Sequence, residues 1–214
     1  LKYAEGKTLL FGGIVDRIDV CNVGDEKYLR IIDYKSSKKQ INEVSLASGI
    51  NMQTLTYLFA VCDENGAYSD YKPAGVLYNP MEISGIEIEQ AKIDEFNQTA
   101  VKKKIKNTGL LIDRKDILEK MEHGLEGKYI PAKLKADGEF DRYSSVVSEV
   151  GMDRLRDFVY SSITDAAENV LNGNAEANPL RSGKTMPCDY CKYSNICGNG
   201  DGKKYHEADS RFWS

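Results

Sequence analysis

Two short strings hold the residues whose types and spacing suit chemistry. The first, YLRIIDYKSSKK (residues 28–39), delivers Asp33 and Lys35 behind an apolar run. Side chains alternate along a strand, so positions i and i+2 share a face about 6.6 Å apart. Asp33 and Lys35 then point one way, and Ile32 and Tyr34 the other. The preceding run GGIVDRIDV carries Asp16 and Asp19, and a hairpin partner can bring Asp16 beside Asp33. Two carboxylates on one face are a poor structural feature and a good divalent-metal site, because hard cations such as Mg²⁺ prefer oxygen ligands. A cation there stabilises charge on phosphoryl oxygens and lowers the pKa of a bound water. A lysine at its edge can orient or help deprotonate that water, or neutralise the transition state. Taken alone, Asp-x-Lys at a strand end is an ordinary solvated ion pair. Its company changes the reading. Gly13 opens a Gly-x-x-Asp that ends at Asp16, and Gln53 and Tyr57 stand at i and i+4 on the next helical run. That spacing puts an amide and a phenol on one helix face.

The second string, CDYCKYSNIC, crowds Cys188, Cys191 and Cys197 into ten residues. Structural zinc takes four protein ligands, and a [4Fe–4S] cubane takes four cysteines. The fourth ligand is Cys21, Cys62, one of the two histidines (His123, His206) or a cysteine outside this sequence. Five cysteines, an odd count, argue against a simple disulfide framework. The residues by themselves leave zinc and iron–sulfur both open.

The elements that must position these groups follow from periodicity. KTLLFGGIVDRIDVCNV (7–23) and KYLRIIDYKSS (27–37) read as two strands joined by a hairpin-like turn at Gly24-Asp25-Glu26. Residues 42–62 carry a helical pattern through Leu46, Ile50, Gln53, Leu55, Leu58 and Phe59. KPAGVLYNPMEI (72–83) reads as a third strand, and residues 86–106 as a helix. LLIDRKDILEKMEHG (110–124) reads as a short strand and then a helix, followed by a polar connection over 135–145. A long amphipathic helix runs from about 148, with Met152, Leu155, Phe158, Val159, Ile163, Ala166, Ala167, Val170 and Leu171 on one face. Gly173 suits its C′ position.

Composition bounds the function classes. The 214 residues are 41% hydrophobic and 29% charged, as expected of one to one and a half globular domains. No stretch approaches the roughly 20 apolar residues of a membrane span. A net charge of −4 gives no overall basic footprint, so any nucleic-acid contact is local. The start LKYAEGKTLLFGG lacks a signal-peptide pattern and an initiator Met, and reads as a piece of a longer chain. Cysteine usage suggests a reducing cytoplasm. Two motifs are decoys. RSGKT (181–185) echoes the end of a P-loop, but its first Gly would fall at Asn178 with no strand before it. KKKIK (102–106) reads as the solvated face of a helix rather than a phosphate track.

The order Gly-x-x-Asp16, Asp33-Tyr34-Lys35, Gln53-x-x-x-Tyr57 resembles the RecB-like branch of the PD-(D/E)xK nucleases. The resemblance implies an α/β, restriction-endonuclease-like core: a mixed central sheet flanked by helices, with a C-terminal helical and cysteine-rich extension. It implies that Asp16, Asp33 and the Tyr34 carbonyl bind Mg²⁺ or Mn²⁺, that Lys35 assists catalysis, and that Gln53 and Tyr57 contribute to the site. The Gly-x-x-Asp phrasing selects Asp16 over Asp19, which alternation places on the opposite strand face. The acidic residue or His that many members place on a preceding helix has no counterpart here.

The tail Cys188-x₂-Cys191-x₅-Cys197 resembles iron–sulfur members of that branch, including the nuclease subunits of AddAB-type helicase–nucleases. There one cysteine before the core and three after it hold a [4Fe–4S] cluster. The resemblance thus implies a cluster in the full-length protein, incomplete or absent in this chain, since Cys21 and Cys62 read as small buried hydrophobes. It also implies a deoxyribonuclease of exonuclease type in double-strand break processing, with an AddA-type helicase–nuclease as partner and a single DNA strand delivered by a helicase. No membrane partner is expected. Residues 10–80 and 187–198 carry the resemblance. The expected division is a nuclease core with a helical insertion over 1–180 and a cysteine-rich tail over 181–214. A catalytically silent nuclease-like domain that binds DNA or scaffolds a partner, and an unrelated zinc-binding module, stand as alternatives. The intact Asp16, Asp33 and Lys35 argue against the silent domain.

Overall fold

The strand Glu26–Lys35 is the spine of the fold. The computed structural model describes residues 2–4, 7–10, 12–37, 39–41, 43–81, 106–181, 186–199 and 204–207. The expected helix over 86–106, apart from its last residue, and Lys102 to Ile105 of the basic run lie outside them. The described elements are β1 (Lys2–Ala4), β2 (Lys7–Thr8), β3 (Arg17–Val23), β4 (Glu26–Lys35), α1 (Glu43–Ala47), α2 (Gln53–Cys62), β5 (Lys72–Pro80) and β6 (Thr108–Ile112). They continue with α3 (Lys115–Met121), a 3₁₀ turn (His123–Leu125), β7 (Val146–Val147), α4 (Glu149–Leu171), β8 (Leu180–Arg181), a second 3₁₀ turn (Pro187–Tyr190) and β9 (His206–Glu207).

Contacts group the chain into two compact units. One comprises Gly13–Ile41 and Gln53–Arg156; the other comprises Leu1–Gly12, Asn42–Met52 and Asp157–Ser214. The first contains a five-stranded sheet in the order β3-β4-β5-β6-β7. It is mixed, as expected: β3/β4 and β5/β6 are antiparallel, β4/β5 and β6/β7 parallel. The β3–β4 turn at Gly24 and Asp25 is the expected hairpin. The parallel β4/β5 pair requires a crossover, and α2 supplies it.

β4 and β5 are buried on both faces, which is why their sequences read as near-continuous apolar runs. Ile32, Leu77 and Leu111 join Leu118 of α3 and Leu125, Ile130 and Ala132 in one cluster. On α2, Thr54, Leu55, Leu58 and Phe59 are buried, and the helix packs on β4 and β5. Each of the three large apolar side chains contributes about 1.5–3 kcal/mol by leaving water.

The structure departs from periodicity in three places. The run 7–23 is not one strand: β2 ends at Thr8, β3 begins at Arg17, and Asp16 sits in a bend before it. The helical pattern over 42–62 breaks between α1 and α2. The Gly49 amide donates to Leu46 O (2.8 Å) and the Ile50 amide to Ser45 O (2.8 Å), with Gly49 at φ 73°. That is a Schellman stop, so the chain ends one helix and starts another at Gln53. On α4, Met152, Leu155 and Val159 are buried, but Val170 and Leu171 are exposed. A 3.6-residue stripe says which residues share a face, not how far a partner extends along it. Gly173 does take the C′ role, at φ 67°.

Candidate active site

The expected site residues fall at the C-terminal end of β4 and the start of α2. Asp16 reaches the strand from its bend: the Tyr34 backbone amide donates to Asp16 Oδ2 at 3.0 Å. The β3/β4 register ends at Arg17 opposite Ile32, so Asp16 arrives where β4 has lost its strand neighbour and bonds the next free amide. In an extended strand the N–H and C=O of one residue point to the same side. The Tyr34 carbonyl therefore faces the side that Asp16 occupies. The Lys35 carbonyl faces the other way and accepts from the Met81 amide at 2.8 Å.

Asp33 and Lys35 lie on the same strand face, and the Lys35 Nζ is 2.6 Å from Asp33 Oδ2. That hydrogen bond, opposed by partial burial, holds the ammonium above its ordinary range. Lys35 also sits 5.9 Å above the Tyr78 ring, because Tyr78 is the register partner of Asp33 on β5.

α2 supplies two further groups of the expected set. The Gln53 amide Nε2 donates to the Tyr57 hydroxyl at 3.0 Å, one helical turn apart. Gly13 lies against this pair. A Cβ on Gly13 would overlap the Tyr57 hydroxyl, so the residue type is fixed by the close approach of the ring.

Asp19, the rival first aspartate, is committed elsewhere. It accepts from Arg30 Nη2 at 2.8 Å and from Arg17 Nε at 2.7 Å. Burial pushes its carboxyl up, but the two guanidinium hydrogen bonds outweigh that and hold it below its ordinary value. It lines a separate cleft of about 360 Å³ with Ile18, Cys21, Arg30, Lys120 and Met121.

Two residues of this cluster carry no sequence signal of chemistry. Thr54 is buried (3% exposed) yet polar, and its hydroxyl donates to Asp33 Oδ2 at 3.2 Å. Tyr78, also buried, is the register partner of Asp33 on β5. The signal available for Thr54 is a polar residue on the buried face of an otherwise apolar helix.

The cysteines are all free thiols. Cys188 is half-buried, and Cys191 and Cys197 are exposed. A run of turns links them: the Cys191 amide bonds Cys188 O, and the Cys197 amide bonds Tyr193 O. Cys21 on β3 and Cys62 at the end of α2 are half-buried rather than fully buried, and burial pushes the Cys62 thiol up to about 12. The His123 Nδ1 lies 2.8 Å from Glu119 Oε1. Among the described residues no three His, Cys, Asp or Glu side chains gather as a metal would need. Among the described residues, the tail cysteines thus do not complete a cluster site. The chemistry near Asp33 differs: two carboxylates and a carbonyl are hard oxygen donors, and they fit a Mg²⁺ or Mn²⁺ ion that keeps several waters.

A mixed sheet with flanking helices carries this cluster at one strand end. The model of the PD-(D/E)XK nuclease superfamily matches residues 2–198, and the chain belongs to that superfamily. Membership removes the reading of an unrelated zinc-binding module. More particularly, the chain is similar to an ATP-dependent helicase/deoxyribonuclease subunit of Thermoanaerobacter, with 33% identity over 94% of this chain and 18% of the relative. The protein of the same name from Clostridium acetobutylicum is 32% identical over 98% of the chain and 19% of the relative. That from Oceanobacillus iheyensis is 32% identical over 90% and 17%. The chain thus spans less than a fifth of the curated relatives' length. Among the described residues, no helix is long and apolar enough to cross a membrane.

Proposed function

We propose that the chain is the metal-dependent deoxyribonuclease domain of an AddAB-type helicase–nuclease, hydrolysing phosphodiesters of a DNA strand during double-strand break processing. The observation that carries the reading is the Tyr34 amide bound to Asp16 Oδ2, since it draws a second carboxylate to the Asp33–Lys35 segment. Asp16, Asp33 and the Tyr34 carbonyl are the proposed ligands. A bound Mg²⁺ or Mn²⁺ supplies charge stabilisation at the phosphoryl oxygens and a more acidic water. Lys35, protonated and held by Asp33, places a positive charge where negative charge develops in the transition state. Gln53 and Tyr57, locked to each other, orient the strand or the attacking water beside it.

In this reading residues 1–180 are the nuclease core with its helical insertion, and 181–214 the tail. Cys188, Cys191 and Cys197 hold three corners of a [4Fe–4S] cluster whose fourth cysteine precedes the core in the longer protein. The cluster is then structural, joining segments on either side of the core. An AddA-type partner and a motor deliver a single strand, in the cytoplasm. The low net charge suits a site that is fed DNA rather than one that captures it.

The test is cleavage of single-stranded DNA by the chain with Mg²⁺ or Mn²⁺. Asp33→Ala should abolish it while the melting temperature holds. Full metal-dependent activity in that variant would overturn the assignment, and a folded parent with no activity in any longer form would favour a silent domain.

A further inference from the structure

Asp33 is gripped from behind. Both of its hydrogen-bonding partners among the described residues, the Thr54 hydroxyl and the Lys35 ammonium, sit on Oδ2, at 3.2 Å and 2.6 Å. A carboxylate oxygen has two in-plane lone-pair directions, so these partners occupy Oδ2. An ionised carboxylate only accepts, so Thr54 spends its single hydrogen on Asp33. Thr54 is 3% exposed, so water does not compete for this bond. The result is a one-way hydrogen bond from Thr54 to Asp33, anchored in packed core.

We propose that Thr54 is a positioning residue that fixes the Asp33 carboxylate and leaves Oδ1 as its one oxygen for a divalent cation. The inference rests on the reading of Asp33 as a metal ligand. A carboxylate free to rotate must be ordered when the ion binds, whereas one held in advance is not penalised. Partners behind a ligand typically matter by about 10–100-fold in metal affinity.

The experiment measures Mn²⁺ affinity of the DNA-free chain by calorimetry and by loss of the free-ion EPR signal, beside the Mg²⁺ dependence of cleavage. Thr54→Val keeps the shape and removes the hydroxyl. It should weaken Mn²⁺ binding about tenfold and raise the Mg²⁺ needed for half-maximal rate by a similar factor, with much of the rate recovered at high Mg²⁺. Thr54→Ser should bind as the parent does. Thr54→Ala, which removes the hydroxyl without putting a methyl in its place, should shift affinity in the same direction, and it serves should Thr54→Val fail to fold. Parental affinity in folded Thr54→Val, or in Thr54→Ala where Thr54→Val does not fold, overturns the proposal. So does equal weakening in Thr54→Ser and Thr54→Val, which would mark a packing effect. Asp33→Ala separates the two levels: if it binds Mn²⁺ as tightly as the parent, the ligand assignment itself falls. A parent chain with no measurable Mn²⁺ binding overturns both.

Discussion

At the scale of single residues, the arrangement around Asp33 separates groups that act from groups that hold. Lys35 is tied to Asp33 and stacked over Tyr78, so its ammonium is fixed in direction. Lys35→Ala should reduce cleavage about 10²-fold or more while Mn²⁺ binding persists, the range for one lost electrostatic or acid–base group. If the variant unfolds instead, the lysine was a structural ion pair. Gly13 offers a different test. Gly13→Ala would drive a methyl into the Tyr57 hydroxyl and break the Gln53–Tyr57 bond. Activity should fall with little change in melting temperature, because the displaced atom is the far end of a side chain. In a Tyr57→Ala background the same change should cost nothing further, and a double-mutant cycle measures that coupling.

At the scale of elements, two carboxylates hold segments together away from the chemistry. Glu122, 6% exposed, follows α3 and accepts three backbone amides, from Lys128 (2.7 Å), Tyr129 (2.7 Å) and Ile130 (2.9 Å). Glu122→Ala orphans all three and should destabilise the chain by about 3 kcal/mol in urea unfolding. Asp19 ties β3 to β4 through Arg30. Its folded-state pKa is depressed, so its contribution is complete well above its unfolded value near 3.8 and is lost as pH falls through the lower folded value. Asp19→Asn should therefore lower the urea midpoint at pH 7 and flatten its decline on acidification below pH 4. An unchanged acid profile would show that the Arg30 pair does not contribute.

At the scale of the whole molecule, four of the five cysteines fall into two populations. Cys62 stays a thiol at pH 8, because burial raises it to about 12, and burial also raises Cys21. Cys191 and Cys197 are exposed. Reaction with a chromogenic disulfide at pH 8 should label those two fast and Cys21 and Cys62 slowly, with mass spectrometry locating each. In the longer protein, prepared without oxygen, about four irons per chain should protect the tail cysteines. Stoichiometric zinc would point to the other metal.

What local spacing encodes is legible in the letters alone. Strand parity put Asp33 and Lys35 on one face, and helical spacing paired Gln53 with Tyr57. Turn chemistry marked the β3–β4 hairpin, and Gly173 marked the end of α4. Each depends on residues a few positions apart, where backbone geometry fixes relative direction. Tertiary structure alone decided what lies between distant segments. The Gly-x-x-Asp phrasing favours Asp16 over Asp19, but only the fold sends Asp16 to the Tyr34 amide where β3 stops and Asp19 to Arg30. Thr54 reads as an ordinary helix residue, and it meets Asp33 only because α2 packs across the β4/β5 pair. A buried hydroxyl has no periodicity to betray it. Its partner is chosen by which strand the fold lays beneath the helix, and that choice is made by packing, not by spacing.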